Sequence, residues 1–90
     1  MLIFDIETDG LLDTLTKIHC MCIKDTKTNQ MYRYTPDTIV EGVKKLMTEG
    51  ATICGHNIIA FDIPAIQKLY PWFKVKKDNV IDTLVYARLV

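Results

Sequence analysis

Hydrophobic periodicity changes partway along this chain, and the change limits the folds open to it. Leu2 to Glu7, Lys17 to Lys24 and Gln30 to Tyr34 are short β-rich or alternating runs, the pattern of half-buried strands. Asp9-Gly10 ends the first run, and the polar stretch Asp25 to Asn29 joins the next two as a hairpin. Beyond Tyr34 the spacing becomes helical. Thr35-Pro36 reads as a cap with proline at the first helical position, and Ile39, Val40, Val43, Leu46 and Met47 recur on one face until Gly50 closes the helix. Ala51 to Cys54 is then a short strand, Asp62 to about Leu69 a second helix stopped by Pro71, and Asn79 to Asp82 a last strand. From Thr83 the residues Leu84, Val85, Tyr86, Leu89 and Val90 open a third helical stripe.

Strands grouped first and then interleaved with helices predict an α/β fold. The expected form is a mixed sheet in which antiparallel strands 1–3 are followed by β-α-β-α. A ribonuclease-H-like arrangement fits this order. With 90 residues and no repeat or linker, a single domain over residues 1–90 is expected. The formal net charge is zero, so nucleic-acid binding has to come from a local site or a divalent ion, which argues against a histone-like or architectural binder. No apolar run approaches the roughly 20 residues that span a bilayer, and the N-terminus lacks a signal-peptide pattern. A cytoplasmic protein without membrane contact is expected. Cys20, Cys22 and Cys54 are odd in number and include no Cys-x-x-Cys pair, which argues against a zinc site and for reduced, small core residues.

Two constellations carry chemistry. Asp5-Ile6-Glu7 lies in an apolar strand, so both carboxylates share one face with Cα atoms ~6.5–7 Å apart. Such a pair is either a solvated strand face or two donors for one cation. Gly55-His56-Asn57-Ile58-Ile59-Ala60-Phe61-Asp62 places an acid after a strand and at a helix start. Asp62 is there either an N-cap or a ligand at the carboxyl end of a strand, where open α/β sheets gather their sites. If Asp5, Glu7 and Asp62 share a cleft, three hard carboxylates suit Mg²⁺ or Mn²⁺ rather than zinc.

Asp5-x-Glu7, Asn57-x-x-x-Phe61-Asp62 and Asp82-Thr83-Leu84 together resemble the 3'→5' proofreading exonuclease domain of family A phage DNA polymerases, within the DEDD exonuclease superfamily. The likeness runs the length of the chain, through Thr16-Lys17-Ile18-His19-Cys20, Pro64-Ala65 and Ile81-Asp82-Thr83-Leu84-Val85. It implies that Asp5, Glu7 and Asp62 are the catalytic acids and hold two divalent ions, Mg²⁺ or Mn²⁺, that hydrolyse a 3'-terminal phosphodiester of DNA. It also implies that Asn57 and Phe61 lie beside the 3'-terminal nucleotides. For Phe61, core packing under a helix is the competing reading.

One departure stands out. The family's last motif has a Tyr or His four residues before a final Asp, and these 90 residues contain neither. The expectation is therefore a C-terminally truncated exonuclease-like domain, weakly active or inactive alone. Asp82 is outside the family's metal set, and capping the next helix is its expected work. His19 is expected to be structural, and His56 either structural or a peripheral phosphate contact. The alternative function is a small stand-alone phage protein using the fold as a non-catalytic binding or inhibitor module. The apolar stripe from Leu84 to Val90, with Trp72 and Phe73, would then be covered by a second copy or a protein partner.

Overall fold

The computed structural model describes residues 1–85, so the expected stripe from Tyr86 to Val90 lies outside the described residues. Strand β1 is Leu2–Thr8, β2 Ile18–Asp25 and β3 Gln30–Tyr34; helix α1 is Ile39–Leu46. After β4, Ile53–Gly55, the chain makes a five-residue π-helical turn at Ile58–Asp62 that runs directly into α2, Ile63–Leu69. A short 3-10 turn at Lys77–Asn79 leads into β5, Val80–Asp82, and residues 83–85 are helical. The five strands form one mixed sheet in the order β3-β2-β1-β4-β5. β1 runs antiparallel to β2 and parallel to β4, and β5 is parallel to β4. The expected mixed α/β fold is present.

Alternation along β1 decides where the core lies. Leu2, Phe4 and Ile6 are buried while Ile3, Asp5 and Glu7 are exposed. Met21 and Ile23 of β2 join the buried face, and Ile39, Val43 and Leu46 of α1 close over it. At about 1.5–3 kcal/mol for each fully buried large apolar side chain, this cluster is the main source of stability in so short a chain. Gly42 lets α1 approach, because a Cβ there would sit 2.7 Å from Met21 Sδ and 2.8 Å from the Tyr34 ring. The opposite face carries a registered row, Met31, Lys24, Ile3, Cys54 and Ile81, that crosses all five strands. Met31, Ile3 and Ile81 are exposed there.

Several boundaries differ from the sequence reading, each for a local reason. Thr35-Pro36 does not begin α1. The Thr38 Oγ1 hydroxyl accepts from the Thr35 amide at 2.9 Å, and the Thr38 amide donates to the Thr35 carbonyl, so residues 35–38 form a turn of their own. Nor does α1 reach Gly50. Its end tightens, with the Met47 amide donating to Lys44 O and the Thr48 amide to Lys45 O, and Gly50 at φ +77 reverses the chain toward β4. Phe73 is fully buried, so of the two expected surface aromatics only Trp72 is exposed. Cys20 and Cys22 are not core residues. They are free, half-buried and opposite Glu7 and Asp5 in the β1–β2 pairing, on the exposed face, whereas Cys54 is free and buried. His19 is the extra residue of a β-bulge, because Glu7 pairs with Cys20 and Thr8 with Ile18.

Gly55 ends β4 where no side chain fits. A Cβ there would meet the Ile58 side chain and lie 2.8 Å from the Phe4 carbonyl oxygen. Gly55→Ala should therefore lower unfolding free energy by about 1–3 kcal/mol, the usual cost of overpacking. Urea denaturation checks this, and an unchanged midpoint would show that the β1–β4 junction has slack.

Candidate functional site

Because β1, β4 and β5 are parallel, their carboxyl ends meet at one edge of the sheet. Asp5 and Glu7 stand near the end of β1, the Gly55-His56-Asn57 turn leaves β4, and Asp82 closes β5. Open sheets with parallel strands assemble their sites at such an edge. A cavity of about 460 Å³ lies at the other end of β4 and β5, against Gly50, Ala51, Lys74 and Asn79. Its one carboxylate is Glu49, and it contains none of the convergent acids.

Asp62 is the central side chain of the edge. It has helical backbone angles, φ −60 and ψ −47, and its carboxylate caps no helix; the N-cap role open to it in the sequence is not the one it plays. Its Oδ2 instead accepts the Ile6 amide of β1 at 3.3 Å. The π-helical turn makes this possible, since one residue more than an α turn rotates the chain beyond it. Only 5% exposed, the carboxyl is pushed up to about 7, first by burial and then by the negative charge of Asp5, against the opposing amide bond from Ile6. The negative charge of Asp5 thus acts on Asp62, which is held against the β1 backbone by the Ile6 amide.

Glu7 shares the exposed face of Asp5, one pleat further along and beside the bulge. The charges acting on Asp62 are those of Asp5 and, more weakly, Asp82. Among the described residues, no three His, Cys, Asp or Glu side chains gather closely enough to hold a metal ion. The donor chemistry of the acid pair nevertheless fits a hard divalent cation. A positive charge between Asp5 and Asp62 would offset the repulsion and let Asp62 ionise at neutral pH.

Asp82 does more than the sequence suggested. As expected, it caps the following helix, its Oδ1 accepting the Leu84 amide at 2.9 Å and the Val85 amide at 3.4 Å. It also accepts the Asn57 amide at 2.9 Å on Oδ1 and the Ile59 amide at 2.9 Å on Oδ2. Burial works against ionisation, but these amide bonds outweigh it and hold the carboxyl below its ordinary value. The signal for this second role was faint: a Gly-His-Asn turn with no cap of its own.

Asn57 is half-buried in the left-handed region at φ 60, ψ 30, a conformation asparagine tolerates. Phe61 is half-buried and packs its inner side on the core, so packing and a surface edge coexist. His56 is exposed, with Nδ1 3.0 Å from Thr83 Oγ1. Beyond β1, the exposed Asp9 carboxylate organises the loop to β2 by accepting the Thr16 hydroxyl and the Thr16 and Lys17 amides, which depress its pKa.

Comparison with known proteins agrees with this fold. The model of the RNase_H superfamily matches residues 2–88. The chain is 34% identical, over 98 aligned positions, to a DNA-directed DNA polymerase of Escherichia phage T7 and to one of Enterobacteria phage T3. Both alignments cover 100% of this chain and 14% of the relative, so it spans a small part of their length.

Asp62 also sets a pH dependence of stability. An acid whose folded pKa is raised binds its proton more tightly folded than unfolded. Its contribution is therefore most favourable below 3.8, falls as pH rises toward about 7, and is flat above that. Asp62→Asn keeps an acceptor for the Ile6 amide and removes the charge. Denaturation at pH 5 and pH 8 should show the variant more stable than the parent at pH 8, by roughly 2–4 kcal/mol at most, with a smaller gap at pH 5. An equal gap at both would mean that Asp62 is not repelled.

Proposed function

We propose that this chain, which belongs to the ribonuclease H superfamily, forms part of a DEDD-type 3'→5' exonuclease domain of a phage DNA polymerase that hydrolyses terminal phosphodiesters of DNA in proofreading. The observation carrying the reading is the placing of Asp5, Glu7 and Asp62 toward the carboxyl-end edge of the parallel strands, with the Asp62 carboxyl buried against the β1 backbone. Holding two carboxylates together without a cation is unfavourable, and active sites are where such pairs are kept.

In this reading Asp5, Glu7 and Asp62 hold divalent ions, Mg²⁺ or Mn²⁺. When bound, these supply an activated water and offset the charge on the departing 3' oxygen. The chain's own residues do the rest. The Ile6 amide, donating to Asp62 Oδ2, fixes which way that carboxylate presents its free oxygen. Asp5 contributes negative charge from the adjacent strand face. Asn57, just before the helical turn that ends in Asp62, and Phe61, within it, would meet the last nucleotides, the amide by hydrogen bonding and the half-exposed ring by stacking. The similarity to phage DNA polymerases supports DNA as the substrate class.

The fourth acid and the Tyr or His of the resembled family are not among these residues, and a positioned acid or base is worth roughly 10²–10⁴-fold. Slow hydrolysis by the chain alone is the expected outcome. The test is nucleotide release from 3'-labelled single-stranded DNA with Mg²⁺ or Mn²⁺, comparing the chain with its Asp5→Ala/Glu7→Ala variant. Weak, metal-dependent release that disappears in the variant supports the reading; equal release from both would refute it. Thermal melting gives a second readout. Mn²⁺ should raise Tm of the parent and leave that of the variant unchanged, because only an intact acid set links ion binding to folding.

A further inference from the structure

We infer that Asp82 is a positioning residue for Asp62, acting through the π-helical turn, an inference that rests on the reading of Asp62 as an acid of the reacting centre. The turn at Ile58–Asp62 begins with orphan amides, as any helix does, and Asn57 offers no side-chain cap. The Asn57 and Ile59 amides are instead received by Asp82, 25 and 23 residues away, at 2.9 Å each. The oxygen that receives the Asn57 amide, Oδ1, also accepts the Leu84 and Val85 amides. Its position is thus determined by β5 and the following helix, and it transmits that position to the turn.

The length of the turn is what makes this matter for Asp62. The Ile63 amide donates to the Ile58 carbonyl, the wide closure that defines a π turn and inserts one extra residue. Were the turn to relax to α geometry, Asp62 would swing by roughly 100° around the helix and leave the Ile6 amide. π turns are rare and concentrate at functional sites, and this one is held at its open end by a buried charge. Asp82→Asn keeps the shape of the side chain but replaces one acceptor oxygen with an NH₂ group, which cannot receive an amide. Either the Asn57 or the Ile59 bond must then fail.

A merely stabilising cap would lower global stability without singling out Ile6. Native-state hydrogen exchange on the ¹⁵N-labelled chain separates the cases, with Val43→Ala, a core truncation in α1, as a control of comparable global destabilisation. In Asp82→Asn the Ile6 amide should exchange at least about tenfold faster than in the control, together with the Asn57 or Ile59 amide. Ile6 exchange equal to the control would overturn the inference. If Asp82→Asn does not fold, the parent chain decides. In low denaturant, Ile6, Asn57 and Ile59 should open in a single event with one denaturant slope, and an Ile6 amide that opens independently of the other two overturns the inference. These readouts need neither metal nor DNA, so they stand or fall separately from the nuclease assay.

Discussion

The acidic edge of the sheet depends on one buried carboxylate whose oxygens are taken up by backbone amides. Asp82 accepts amides from the starts of two helical segments, and each start presents the positive end of a helix dipole. A charge in that position is stabilised by backbone alone, which is why its pKa falls although burial opposes ionisation. Two lengths of chain that leave neighbouring parallel strands are thereby tied at one point. Without that tie the π turn would have free donors at its first residues and no reason to keep its wide closure.

The acid pair is the counterpart. Asp62 is buried, feels the negative charge of Asp5 and has a single amide bond from β1 in its favour, so its environment disfavours the ionised form. Asp82 and Asp62 lie on one side of the same sheet edge, yet their environments push their pKa values in opposite directions. At Asp82 four amide bonds outweigh burial, whereas at Asp62 burial and the charge of Asp5 outweigh the bond from Ile6. Strongly perturbed carboxyls of the Asp62 kind are what the proposed function draws on, whereas Asp82 serves the fold.

The exposed face of the sheet has its own logic. Its apolar row, Met31, Ile3 and Ile81, is interrupted by Lys24 of β2 and runs beside the row that aligns Arg33, Cys22 and Asp5. In the similar phage polymerases the matched region is 14% of the protein. The apolar surface expected to be covered by a further part of the protein or a partner included residues 84–90, most of which lie outside the described residues, and Phe73, which is buried.

Strand and helix identities were legible in the residues, because period 2 and helical spacing are local consequences of which face is wet. The side chains of Asp5 and Glu7 share the exposed face as alternation requires, and the blocks Asp5-x-Glu7, Asn57-x-x-x-Phe61-Asp62 and Asp82-Thr83-Leu84 pointed to the family that the comparison identifies. Boundaries at Thr35-Pro36 and Gly50 were misread because Thr38 and the tightened end of α1 won locally over propensity. The placing of Cys20 and Cys22 in the core failed because small thiols are tolerated on either face. What the sequence by itself determined was the set of elements, their order and the acids available at the strand ends. Only the tertiary structure decided that Asp62 turns to the Ile6 amide rather than capping its helix, and that Asp82 closes the π turn. Both depend on which orphan amides a folded chain brings within hydrogen-bond reach across more than 20 residues, and no local pattern encodes that.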